Sequence, residues 1–208
     1  VGSKMGLLDD TLNLNVAYFH NTYDNIQLSV FSAFTLPVGT QAYFGDFTNA
    51  GAGTVHGFEL EYQWLATPSF VISGNLAWLD ARYDEYFFKG VNIADQQTFT
   101  NAPDFSGAIN LEYRADLGSM GNLSARVGYA YQSEVTATTE VVRDPVTGVR
   151  TQPIVQDGYG LVNANVSWRF NDAWSLTLAG SNLADKEFLT TGYVIPALGV
   201  RTGFYGNP

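Results

Sequence analysis

The chain has 208 residues, the size of one domain, with 20 acidic against 10 basic side chains and a formal net charge of −10. Charged residues make up 14% and aromatics another 14%, where soluble chains carry roughly 25% charge, so an ordinary water-soluble enzyme is excluded by composition. No Lys/Arg cluster is present, which excludes nucleic acid as the main partner, and zero cysteines exclude a disulfide framework and a thiolate nucleophile or metal ligand.

Val1-Gly2-Ser3-Lys4 runs straight into a turn-like Leu7-Leu8-Asp9-Asp10, with no basic and apolar leader, and reads as a chain that begins inside a longer protein. From there the residues alternate with period two, the pattern of half-buried strands. Leu12, Leu14, Val16 and Tyr18 oppose Asn13, Asn15 and Ala17. The charge-free stretch between Asp24 and Asp46 contains Gln27, Ser29, Ser32, Pro37 and Gly39, so it is no spanning helix. Phe58, Leu60, Tyr62 and Trp64 then oppose Glu59, Glu61 and Gln63, and Ile72, Leu76 and Trp78 oppose Ser73, Asn75 and Ala77. Ile109, Leu111 and Tyr113 face away from Asn110, Glu112 and Arg114. Leu123, Ala125, Val127, Tyr129 and Tyr131 face away from Ser124, Arg126, Gly128 and Gln132. Val162, Ala164, Val166 and Trp168 oppose Asn163, Asn165, Ser167 and Arg169, and Leu176 and Leu178 oppose Ser175 and Thr177.

Short connections near 67–69, 116–122 and 171–173 take turns with long ones near 32–44, 84–104, 133–157 and 186–200, each rich in loop formers. The reading is all-β: an antiparallel up-and-down meander of about seven to eight strands, short turns at one end and long loops at the other.

Alternation alone fits a soluble lipocalin-like barrel with an apolar lumen as well as a membrane barrel with a polar one. The aromatics separate the two. Tyr62, Trp64, Phe70, Tyr113, Trp168, Phe170 and Trp174 bracket the short turns, while Tyr18, Trp78, Tyr83, Tyr129 and Tyr131 lie toward the long loops. Two such belts, about 9 to 11 residues of tilted strand apart, match an outer-membrane barrel. Glu59, Glu61, Glu112, Arg114, Arg126 and Arg169 on the other faces are costly in lipid and belong in the lumen.

Several local patterns carry a family resemblance. Gly2 and Lys4 precede a short turn and the strand of Leu12, Asn15, Ala17 and Phe19; Asn49 is followed by Gly57-Phe58-Glu59-Leu60-Glu61; Asn101-Ala102-Pro103 precedes a strand ending at Tyr113; Asn182-Leu183-Ala184-Asp185-Lys186 follows the Trp174 to Gly180 strand. Together they resemble the C-terminal part of the barrel of TonB-dependent outer-membrane receptors, with Ala184 and Phe188 standing where the family more often has an aromatic and Tyr. The resemblance implies that residues 1–208 are one incomplete domain of a roughly 22-stranded plugged barrel. Gly206-Asn207-Pro208 resembles the entry to the final strand, and a plug and a TonB-contacting segment are expected outside this chain.

The function implied is active import of a scarce nutrient, a ferric siderophore, a cobalamin-like complex or a glycan, driven by TonB across the outer membrane of a Gram-negative bacterium. Its partners are outer-membrane lipid, the plug, TonB and a small nutrient ligand. The other readings are a self-contained small outer-membrane barrel, structural or hydrolytic, and a soluble lipocalin-like binder.

The residues offer no catalytic, cofactor or metal site. His20 and His56, the two histidines, lack metal-hydrolase spacing. Gly51-Ala52-Gly53-Thr54-Val55-His56-Gly57 has one residue too many for a dinucleotide loop and opens a strand. Glu59 and Glu61 read as lumen polarity, and Asp144-Pro145-Val146-Thr147-Gly148 as a loop tip. The sequons at Asn122 and Asn165 fall in or beside strands, and the acidic loops read as solvated surface. An enzyme is not expected, and the ligand-contacting residues stay unassigned.

Overall fold

The computed structural model describes residues 1–39, 41–88, 90–139, 142–143, 150–195 and 200–206, with side chains described for all of these except 28–35, 41–48, 50, 88, 142–143, 150–151 and 195. The loop tip read at Asp144 to Gly148, and the Asn207-Pro208 part of the final-strand entry, lie outside the described residues.

Eight strands follow one another as an antiparallel meander: β1 (Gly2–Leu7), β2 (Leu12–Thr35), β3 (Gln41–Thr67), β4 (Phe70–Phe88), β6 (Phe105–Asp116), β7 (Asn122–Gln132), β12 (Tyr159–Arg169) and β13 (Ser175–Gly180). Short β5 (Val91–Asn92) pairs with the end of β4. In the loops, β8 (Val135–Thr136) pairs with β11 (Val155–Gln156), β9 (Val142–Arg143) with β10 (Arg150–Thr151), and β14 (Leu189–Ile195) with β15 (Val200–Tyr205). The sheet is open, with β1 and β13 at its two ends. Among the described residues no helix is long and apolar enough to cross a membrane.

Two stretches read as loop are strand. Residues 32–44 continue β2 and β3, paired as far as Thr35 with Gln41, so the connection narrows to residues 36–40. The 186–200 stretch contains β14, which forms a hairpin with β15. In both places backbone pairing persists where no single face has to be apolar, so period two fades from the sequence while the ladder continues.

Register keeps like with like. Leu14, Tyr62 and Gly74 line up across β2, β3 and β4; Ile72, Leu111 and Val127 line up across β4, β6 and β7; Val127 meets Ala164 on β12, which meets Gly180 on β13. A one-residue slip would send every such side chain to the opposite face. The apolar face stays bare: Trp78 is 42% exposed and Leu178 77% exposed. Nearly all enclosed apolar side chains sit instead in the long loops, where Tyr86 packs with Ile93, and Ala137, Ile154 and Val194 form a second small core. The face of the meander is left for another solvent, while the loops bury their own apolar groups.

Candidate functional site

On the apolar face, Tyr18, Phe58, Trp78 and Phe105 occupy one cross-strand row over β2, β3, β4 and β6. Tyr18 and Phe58 have ring centroids 4.9 Å apart, Phe58 and Trp78 6.2 Å, and Phe105 and Tyr131 6.3 Å. At the short-turn end Phe70 faces Tyr113, Trp168 packs edge-on against Phe170 at 4.8 Å, and the Trp168 indole N–H donates to the Met120 carbonyl. From Phe70 to Trp78 is about 27 Å of strand at ~3.4 Å per residue. At the 35–45° tilt of outer-membrane barrels this rises about 19–22 Å, most of their roughly 25 Å apolar band.

Above the Tyr18 row the faces exchange chemistry. The next residues on the outer side are His20, His56 and Asp80, one cross-strand row, followed by Thr22, Thr54 and Arg82. Arg82 donates two hydrogen bonds of 2.6 Å to Asp80, and Thr54 donates to Asp84. The inner side turns apolar at the same height, with Phe19, Leu79, Ala81 and Tyr83. Tyr83, read from the sequence as part of the outer belt, points inward and stacks on Phe99 at 4.2 Å. The correction follows from the exchange: above the Tyr18 row the outer side is polar, and the inner side packs against loops.

Below that level the inner side is polar. Asn15 donates to Glu61, and Glu112 accepts from Arg114 Nε at 2.6 Å while its other oxygen lies 3.6 Å from Arg126. Glu59, Asn75, Asn110, Asn163, Asn165 and Arg169 share this side through the register. The sequence-read lumen residues are therefore brought onto one surface.

Three long loops are knitted together over the end of the wall. The Gln152 amide oxygen accepts from the Thr98 backbone N–H at 2.9 Å and its nitrogen donates to the Thr138 carbonyl at 3.0 Å. Gly192 N–H donates to Ala137, whose own N–H donates to Ile154. Gln156 accepts from Leu189 N–H at 2.6 Å. These cap residues escaped the sequence reading, since isolated glutamines in long loops carry no period.

The Asn182 to Lys186 motif gains a physical reason. Asn182 takes a left-handed backbone, φ 46°, and is 7% exposed. Its side-chain oxygen accepts from Lys186 N–H at 3.0 Å, its amide donates to the Lys186 carbonyl at 3.1 Å, and its own N–H donates to Asn163. Asn tolerates this conformation and closes the loop with one side chain. Gly51 to Gly57 lies within β3. Among the described residues no group of three or more His, Cys, Asp or Glu side chains is gathered for a metal ion.

The barrel family described as "TonB dependent receptor-like, beta-barrel" matches residues 1–183. In fold, the chain is similar to the ferric yersiniabactin uptake receptor FyuA from Yersinia pestis, with a TM-score of 0.71 and 16% identity over 99% of this chain and 27% of that one. It is also similar to the siderophore receptor PiuA from Acinetobacter baumannii, at 0.64 and 20% over 98% and 26%. The ferripyoverdine receptor of the outer membrane of Pseudomonas aeruginosa gives 0.61 and 20% over 100% and 25%. This chain thus spans about a quarter of each of those receptors. With an apolar belted outer wall, a polar inner wall and a family match over residues 1–183, the chain belongs to the TonB-dependent receptor family and lies in its β-barrel.

Proposed function

We propose that this chain is the late barrel wall of an outer-membrane receptor that takes up a ferric siderophore, with TonB supplying the energy and a plug filling the lumen. The observation that carries this reading is the two-sided wall: apolar and belted outside, polar inside, open at β1 and β13. Unpaired sheet edges in hydrocarbon cost several kcal/mol per backbone group, so further strands close the barrel. The siderophore assignment is supported by the fold neighbours, which are receptors for ferric yersiniabactin, a siderophore and ferripyoverdine. The loop cap and the inner wall contact cargo, while the belts hold the wall in the outer membrane of a Gram-negative cell.

The test is uptake of 55Fe-loaded siderophores by iron-starved cells with the full gene intact, deleted, or intact in a tonB-null background. Loss of uptake of one siderophore class in both mutants supports the reading. Uptake that persists in the deletion for every siderophore class, with cobalamin or glycan uptake lost instead, overturns the cargo. Uptake lost in the deletion and retained without TonB overturns the energy source.

A further inference from the structure

His20 and His56 are direct cross-strand partners on the outer side of β2 and β3, one pleat above Tyr18 and Phe58, with ring centroids 5.8 Å apart. His56 is flanked on its other side by β4, where Asp80 is its partner and the Trp78 ring stands edge-on at 5.7 Å. His56 Nε2 lies 3.9 Å from Asp80 Oδ2, and Asp80 is itself held by two hydrogen bonds from Arg82. His56 Nδ1 is buried and has no hydrogen-bond partner.

A neutral imidazole carries one N–H and one lone pair. The carboxylate beside Nε2 favours the proton there, which leaves the lone pair on the unpartnered Nδ1. At 3.9 Å the His56–Asp80 pair is a charge contact and not a hydrogen bond, so Asp80 biases the tautomer of His56 through its charge without fixing the ring. The ring spacing fits as well. With N–metal bonds of about 2.0–2.1 Å each centroid stands roughly 3.2 Å from a shared ion. Two rings on one ion are then about 5.2 Å apart at a tetrahedral angle and about 6.4 Å apart when opposed. The observed 5.8 Å falls between these limits.

We propose that His20 and His56 together bind a divalent first-row transition-metal ion of the class imidazole prefers, such as Zn2+ or Cu2+. Asp80, held by Arg82, favours through its charge the tautomer that leaves the Nδ1 lone pair free, and does not touch the ion. His20, exposed on the sheet surface, is the ligand that turns to meet the ion, and water completes the coordination. With two protein ligands the site is exchangeable, unlike a closed four-ligand structural site. It sits on the outer wall, away from the lumen, so an ion held there ties β2 to β3 and takes no part in cargo passage.

The experiment uses the full-length receptor purified in detergent, stripped with EDTA and titrated with Cu2+, the strongest binder of the divalent series. Electron paramagnetic resonance reads the number of coordinating nitrogens, and far-UV circular dichroism checks that each variant is folded. His20→Asn and His56→Asn are each expected to remove one imidazole coupling and more than about tenfold in affinity, while Asp80→Asn keeps both couplings and loses less affinity than either. A Zn2+-dependent rise in Tm is expected for the wild type and absent in His20→Asn, which alters an exposed side chain. Wild-type couplings and affinity in His20→Asn, or a loss confined to His56→Asn, overturn the shared site.

Discussion

Trp78 and Asp80 project from the same side of β4 one pleat apart, Trp78 in the aromatic row and Asp80 gripping Arg82 through two hydrogen bonds of 2.6 Å. Between them the outer wall passes from an apolar to a charged surface. In the proposed membrane placement that step marks where lipid ends, and it sets the cost of a charge by height. Ile109→Arg, midway down the apolar face, is expected to destabilise by about 2–4 kcal/mol, and Thr22→Arg, above the row, by about 0–1 kcal/mol. Guanidinium unfolding of the full-length receptor in phospholipid vesicles measures both; equal costs would place the boundary elsewhere.

Facing alternates along β12, so adjacent positions report different solvents. Asn165 stands on the inner side with Arg126, and Val166 on the outer side with Ala125. The chain has no cysteine of its own. A bimane label on Val166→Cys is expected to emit at shorter wavelength than one on Asn165→Cys, and to be quenched by brominated lipid. Quenching of the Asn165 label alone would invert the wall.

Asn182→Ala removes both side-chain bonds to Lys186 and places alanine at a positive φ. Two lost bonds to the Lys186 backbone put the expected loss at about 1–3 kcal/mol. Asn182→Asp retains the acceptor and loses the donor, so an intermediate loss follows. Denaturant midpoints of the full-length receptor decide; a neutral Asn182→Ala would reduce the motif to a sequence habit.

Tyr83 lies above the lipid level, and burial, helped by the nearby Tyr86 phenol, pushes its pKa from 10.0 up to about 12. The folded state therefore holds this proton more tightly than the unfolded chain. The stabilisation is fully present below pH 10 and is lost as pH rises from there toward 12. Absorbance at 295 nm, wild type minus Tyr83→Phe, is expected to show a step near the upper value. A step at the ordinary tyrosine position would mean that Tyr83 is not enclosed by Phe99 and the loop.

Much of the wall was legible because lipid imposes a strict demand. Leu60, Leu76, Leu111 and Val166 face one solvent and Glu61, Asn75, Glu112 and Asn165 another, so period two is written into the residues. Where that demand ends, legibility ends too. Residues 28–34 mix apolar and polar positions, and the stretch 32–44 reads as loop although the backbone is paired. Tyr83 was assigned to the outer belt because aromatic character does not say on which side of the lipid boundary a phase exchange occurs. His20 and His56 stand far apart in sequence, yet the hairpin is centred on Val38, beside Pro37 and Gly39, and that turn puts them opposite each other. A register drawn outward from it would have found the pair.

Beyond register shifts at Tyr23/Ile26 and Ile26/Gln27, the β2–β3 ribbon is paired without a break from Gln27 with Asn49 to Thr35 with Gln41. Removing equal numbers of residues from the two arms within that stretch therefore leaves every remaining pair opposite its old partner. The reach of this ribbon can be lengthened or trimmed in paired steps while the apolar rows below keep their alignment. Reach above the Tyr18 row and the fit of the belted wall below it are therefore separately adjustable in this part of the barrel.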